Sequence, residues 1–258
     1  MSAYAGPANW WTDENNTGRT HIATKGVVQT GLIFNLDAGV SSSYSGSGAT
    51  WSDLTSSPIN TTINNGTFSS QFGGGFTTAN TSTLATIGNL STSSKLSLTQ
   101  NFSIEQIFRP SGYQANNYFG LTNQLLAKGS ASTYNYATQL NSDTEVSFIK
   151  RNADDGYLRF HNFTIPSMLN KINILTFVIT STTTITCYMN GSLIGSSSIS
   201  GSTIAAVEGD PTYISVDLTG NDEGVLKGNY YSCRVYNIAL TAAQVSQNFN
   251  ALRGRFGI

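Results

Sequence analysis

Charge is scarce in this chain. Lys, Arg, Asp and Glu make up 10% of its 258 residues, against roughly 25% in ordinary soluble domains. The few charges nearly cancel: 13 basic and 14 acidic residues leave a net charge of -1. No basic stripe is present to neutralise phosphates, which excludes a nucleic-acid partner. No apolar run approaches the roughly 18 residues that a membrane-crossing helix needs. The opening stretch, Met1 to Asn16, lacks the basic and apolar regions of an export signal. The chain is therefore expected to be made and used without such export, and sequons such as Asn65-Gly-Thr67 and Asn190-Gly-Ser192 are expected to be chance.

Metal-ligating residues are as sparse. Two cysteines, Cys187 and Cys233, and two histidines, His21 and His161, form no zinc spacing. Both cysteines sit on alternating segments, beside Ile185/Met189 and Tyr231/Val235. They read as two buried thiols, with a cross-strand disulfide as the alternative in an oxidising setting. No internal repeat or linker divides the chain.

What fills the space left by charge is Ser, Thr, Asn and Gly, with 25 glycines against 5 prolines. Such a composition favours strands joined by uncharged turns. Period-2 alternation marks Val27–Ala38, Phe102–Phe108, Leu125–Gly129, Tyr134–Leu140, Val146–Arg151, Asn173–Thr180, Thr184–Asn190 and Tyr213–Val216. Turn signals separate them: Asn64-Asn65-Gly66, Asn152 to Gly156, and the strongest, Asn190-Gly191. About a dozen short strands without βαβ alternation predict an all-β, two-sheet antiparallel sandwich.

The clearest change of period comes near the end. Asn229 to Tyr236 alternates, placing Tyr231, Cys233 and Val235 on one face and Tyr230, Ser232, Arg234 and Tyr236 on the other. This second set faces either a ligand or the surroundings of its sheet. Thr241-Ala-Ala-Gln244 is then a capping box, followed by Val245, Phe249 and Leu252 at helical spacing. Gly254 is the expected stop, and Arg253 and Arg255 suit the negative end of the helix dipole. One short C-terminal helix is predicted to cover an end of the sandwich.

These segments resemble laminin-G-like domains of the concanavalin A-like lectin/glucanase superfamily. The resemblance rests on GLIFNLDAG (31–39), SGSGATWSDL (45–54), NFSIEQIFRP (101–110), LLAKG (125–129), the hairpin of 173–196 and the closing stretch of 228–252. It implies a curved jelly roll. The opening and closing segments are similar to domains in virion proteins of tailed, notably marine, bacteriophages. That likeness implies a virion structural protein, a capsid decoration or a neck or tail accessory, assembled in the host cytoplasm. Its expected partners are other virion proteins and further copies of itself. The expected organisation is an N-terminal arm, residues 1–26, and a jelly-roll domain, residues 27–258. The alternative is a glycan-binding adhesion module for host attachment.

Enzymatic readings fare poorly. A retaining glucanase needs two carboxylates on one strand face, and the family's Glu-x-Asp-x-x-Glu pattern is absent. Glu105 and Glu145 stand alone on strands, and His21 and His161 have no nucleophile motif beside them. The expectation is therefore no enzyme and no cofactor apart from calcium. The acidic loop with Asp217, Asn221, Asp222 and Glu223 is a candidate calcium site, or a solvated turn. Tyr113, Asn116, Asn117, Tyr118 and Tyr134 combine aromatic platforms with amides and are candidate glycan contacts, or packing residues. Trp51 reads as a structural plug. Trp10 and Trp11 pack either on their own domain or, with Arg253 and Phe256, against a neighbouring subunit.

Overall fold

The computed structural model describes residues 26–64, 66–78, 86–90, 94–113, 124–129, 135–180, 184–198, 204–205, 212–216 and 226–258. Alternating segments there become two eight-stranded antiparallel sheets. The first sheet runs β14(Ser192–Ser198), β13(Thr184–Met189), β12(Asn173–Thr180), β7(Phe102–Pro110), β16(Gly228–Tyr236), β5(Gly75–Thr78), β4(Gly66–Ser69), with β1(Leu32–Asp37) also pairing with β16. The second runs β11(Leu158–Thr164), β10(Glu145–Arg151), β9(Tyr136–Ser142), β8(Gln124–Lys128), β15(Thr212–Val216), β6(Thr86–Leu90), β3(Thr61–Ile63), β2(Thr50–Trp51). This is the jelly-roll sandwich that the sequence implies.

The core lies between the sheets. From the first, Phe102, Ile104, Phe108, Leu175, Phe177 and Ile179 point inward; from the second, Leu126, Tyr136, Leu140, Val146 and Phe148 meet them. Trp51 is fully buried, its ring 4.7 Å from that of Phe76, as a plug should be. Cys187 and Cys233 are both buried and unbridged, so the thiols act as small apolar groups. Burial pushes each thiol pKa up to about 12.

Turn chemistry sets the connections. Asn190 and Gly191 take φ of 49° and 75°, the left-handed pair that a two-residue hairpin between β13 and β14 demands. A Cβ on Gly191 would lie 2.9 Å from the Phe249 ring, so no side chain fits there. The Asn64-Asn65-Gly66 signal does something different. It joins β3 of the second sheet to β4 of the first, a change of sheet rather than a hairpin.

The closing stretch departs from its strict alternation. The pairing of β16 with β7 slips between Tyr230 and Ser232, so Tyr231 is an extra residue. The bulge reverses the phase. Tyr230 enters the core with Cys233 and Val235, while Tyr231 turns to the outer face. None of Tyr230, Arg234 and Tyr236 reaches solvent.

Helix α1(Ala242–Phe256) explains why. The capping box forms as predicted, with Gln244 N donating to Thr241 Oγ1 at 3.2 Å and Thr241 N to Gln244 Oε1 at 2.8 Å. The helix runs past Gly254 and stops at Gly257, whose φ of 71° supplies the left-handed cap. Val245, Asn248, Leu252 and Phe256 form its buried stripe. They pack on Ile107, Ile174, Val178, Tyr231 and Tyr236, all on the outer face of the first sheet. The helix thus covers a face, where an end was expected. Phe256, expected as an assembly contact, is 4% exposed and packs on Tyr231 at 5.3 Å. Its apolar ring completes this chain's own core. Arg253 is exposed and lies over the Phe249 ring at 5.8 Å. Trp10 and Trp11 lie outside the described residues.

Candidate functional site

The two outer faces differ in what they hold. Beneath the helix, Arg234 donates to Asp37 Oδ2 at 2.9 Å and to Glu105 Oε1 at 3.4 Å. Arg255 reaches back from the last helical turn to Asp37 Oδ1, and to the carbonyls of Phe72 and Gly74. Asn248 donates to Glu105 Oε2 and Tyr236 Oη at 3.0 Å each and accepts from Val28 N at 2.8 Å. Burial raises the Glu105 pKa, and Arg234 and Asn248 only partly offset it. Burial also works against the Arg234 charge, but Asp37 and Glu105 outweigh it and hold its pKa above the usual value. These charges are sealed and mutually committed. They are structural, and no ligand reaches them.

The outer face of the second sheet has no helix on it among the described residues. Val146 and Phe148 face the core, so Ser147 and Ile149 face outward. Register then aligns two rows across the strands. One is apolar: Tyr213, Ala127, Ala137, Ile149 and Phe160. The other, about 7 Å along the strands, is polar: Gln124, Gln139, Ser147 and Asn162. Asn141 extends this polar row through side-chain hydrogen bonds. Gln139 Nε2 donates to Asn141 Oδ1 at 2.7 Å, and Asn141 Nδ2 donates to Glu145 Oε1 and Ser147 Oγ at 2.6 Å each. Ser147 Oγ donates to Asn162 Oδ1 at 2.7 Å.

This ladder fixes its own orientations. Asn162 is left with its Nδ2 hydrogens, and Glu145 with Oε2, for an incoming group. Solvent enters at the edge strand β11, where Asn162 and Thr164 are exposed and Phe160 is 41% exposed. Gln124, Gln139, Ser147, Ala127, Ala137 and Ile149 are buried, so donors, a carboxylate acceptor and an aromatic surface meet solvent only at this edge, at Asn162, Phe160 and the half-buried Asn141 and Glu145.

The residues singled out in the sequence are placed elsewhere. Tyr113 donates its hydroxyl to Asp143 Oδ1 at 3.3 Å and packs its ring on the core. Burial, with Asp143 beside it, raises its pKa. Asp143 is a loop anchor that also accepts from Ser167 Oγ at 2.6 Å and from the amides of Met168 and Leu169. Asn116, Asn117, Tyr118 and Tyr134 lie outside the described residues, as do Asp217, Asn221, Asp222 and Glu223. Among the described residues no three His, Cys, Asp or Glu side chains gather as a metal site. The ladder escaped the sequence reading because apolar periodicity was the guide there. Its signal was polar periodicity: Gln139/Asn141, Glu145/Ser147 and Asn162/Thr164 on three consecutive strands.

A family model described as concanavalin A-like lectin/glucanases superfamily matches residues 84–246. The chain belongs to that superfamily. No curated protein sequence matches it. Among solved structures, the binding domain of Paraclostridial Mosquitocidal Protein 1 is similar at 14% identity and a TM-score of 0.59, covering 86% of this chain and 52% of that one. A botulinum neurotoxin type C structure, whose cell entry is described as dependent on two ganglioside molecules, is 14% identical with a TM-score of 0.62, covering 86% and 51%. The binding domain of botulinum neurotoxin DC, solved with rat synaptotagmin II, is 14% identical with a TM-score of 0.59, covering 86% and 52%. This chain thus spans about half the length of each neighbour. At such identities the likeness is one of fold. None of these three is a virion component.

Proposed function

We propose that the chain is a lectin-like, non-catalytic module that binds a neutral polar glycan at the β11 edge of the outer face of its second sheet. The observation that carries this is the hydrogen-bonded ladder Gln139–Asn141–Ser147–Asn162 beside the apolar row ending in Phe160. A sugar presents hydroxyls at its rim and C–H groups on its faces, so it needs donors, acceptors and an aromatic surface together. Superfamily membership supports the reading, and so does the ganglioside dependence named for one structural neighbour. Glycan binding thereby stands ahead of a virion structural role, which rests on the resemblance of the chain ends alone.

Hydrolysis does not suit this arrangement. Asp37 and Glu105 share Arg234 beneath the helix, and Glu145 is held by Asn141. Neither offers the accessible carboxylate pair of a glycosidase. The test is a glycan array followed by titration of the best ligand into the parent chain, Asn141→Ala and Asn162→Ala. Each variant is expected to weaken binding about tenfold, the worth of one or two hydrogen bonds. No array signal, or equal affinity in all three proteins, overturns the reading.

A further inference from the structure

Behind the strand that carries Asn162 and Phe160, the edges of the two sheets meet along a seam. Among the described residues β14 ends the first sheet and β11 ends the second. Phe148 faces the core and pairs with His161, so His161 points inward from β11. Ser197 pairs with the buried Ile185 and points inward from β14. His161 Nδ1 and Ser197 Oγ lie 2.8 Å apart, a hydrogen bond that bolts one sheet to the other. Further along β11, Phe163 packs on Phe177 with ring centroids 5.8 Å apart, and a Cβ on Gly195 of β14 would touch its ring at 4.0 Å.

The bolt suits a neutral ring. A neutral imidazole carries one N–H, an imidazolium two. His161 Nε2 is buried and has no hydrogen-bond partner. Protonation in place would therefore leave a charged ring with an unmatched N–H sealed from water, a costly arrangement. The neighbouring charges add to the cost. Lys150 and Arg159 pair on the same inner face as His161, and Lys150 is 1% exposed. On β13 and β14 the facing residues Ile185, Gly195 and Ser197 carry no charge. The turn carboxylates Asp154 and Asp155 act on Lys150 and Arg159, and not on His161. Burial and Lys150 accordingly lower the His161 pKa from 6.5 to about 4.

We propose that His161 is an acid-released bolt between the two sheets, and that its opening loosens β11 and lowers ligand affinity at that edge. On protonation the half-buried ring leaves Ser197 for water. β11 then keeps its ladder to β10 and loses its tie to β14. Phe160 and Asn162 flank His161 in sequence and ride on the loosened strand. As pH falls from 6.5 towards 4, the open state takes up a proton that the closed state refuses, so acid shifts the population towards open. The coupling to ligand rests on the glycan reading above; the bolt itself does not.

The two buried thiols read the seam directly. Cys187 pairs with Gly195 beside it, whereas Cys233 lies on β16 in the middle of the first sheet. The experiment is thiol labelling of the full chain with dithiodipyridine, scaled to free cysteine at each pH. Cys187 is expected to react about tenfold faster at pH 4.5 than at pH 7, with Cys233 remaining slower. His161→Asn should abolish that rise. Ser197→Ala should speed Cys187 already at neutral pH, which keeps the test valid should His161→Asn fail to fold. Over the same range the affinity of the best array glycan should fall severalfold in the parent and stay level in His161→Asn. No acid rise at Cys187, an equal rise at Cys233, the same rise in His161→Asn, or a neutral-pH rate unchanged in Ser197→Ala overturns the bolt. Acid labelling beside a pH-independent glycan affinity overturns its coupling to ligand. A chain that binds no glycan at any pH sinks the ladder reading instead, and the labelling still decides the bolt.

Discussion

On the outer face of the first sheet, Arg234, Asp37, Glu105 and Arg255 lie sealed under a capped helix. On the outer face of the second, Gln139, Asn141, Ser147 and Asn162 run as a chain of amides and a hydroxyl to an open edge. In a chain with 10% charged residues, three charges are gathered out of solvent, with Arg255 closing over them at the rim. At the open edge of the second sheet, the exposed Asn162 and the half-buried Asn141 and Glu145 present neutral groups with a single carboxylate, while Gln139 and Ser147 are buried behind them. Charges under the helix position it against the sheet. Amides on the other face are easier to desolvate when a neutral ligand arrives.

The largest expected effect comes from breaking the sealed face. Arg234→Met strands the buried Glu105 and leaves Asp37 to Arg255 alone, and should destabilise the fold by about 3–5 kcal/mol in urea unfolding. A loss below about 1 kcal/mol would mean that water enters under the helix. Thr241→Ala removes the helix cap and should cost about 1 kcal/mol.

Acid and base separate two buried groups. Glu105 has a folded-state pKa raised above 4.5, chiefly by burial. The folded chain therefore holds a proton that the unfolded chain releases, and this contribution falls as pH rises from 4.5 through the folded value. Glu105→Gln should remove that slope. His161 behaves oppositely. Burial, aided by Lys150, lowers its pKa from 6.5 to about 4, and its Nδ1 meets Ser197 Oγ at 2.8 Å across the gap between β11 and β14. Its contribution is present above pH 6.5 and is lost as pH falls towards 4. His161→Asn should flatten that limb of a stability–pH profile. The smallest effect on stability belongs to the ladder: Asn162→Ala should stay within about 0.5 kcal/mol of the parent while weakening the glycan.

Much of the fold was legible from local pattern. The Asn190-Gly191 hairpin and the Thr241/Gln244 capping box are set by neighbours in sequence and formed as read, and most strand positions did too, although the stretch Val27–Ala38 is a strand only over Leu32–Asp37. What alternation missed depends on distant partners. The slip at Tyr231 is defined only against β7. The helix passes Gly254 because Phe256 finds Tyr231 and Phe72. Arg234, Glu105 and Asp37 meet across separations of 129 and 197 residues. The ladder was half legible: its strands were read correctly, but no single strand shows that its polar face aligns with two others. The loop residues proposed for glycan and calcium remain outside the described residues, Tyr113 excepted, so the second sheet now carries the functional reading.

The account turns on which outer face meets ligand. Amide hydrogen exchange, measured with and without the best array glycan, reads that directly. The prediction is added protection in β9, β10 and β11, around residues 139–147 and 158–164, with helix α1 unchanged. Protection confined to α1 and its sheet, or none in β9–β11 at saturating glycan, would contradict it.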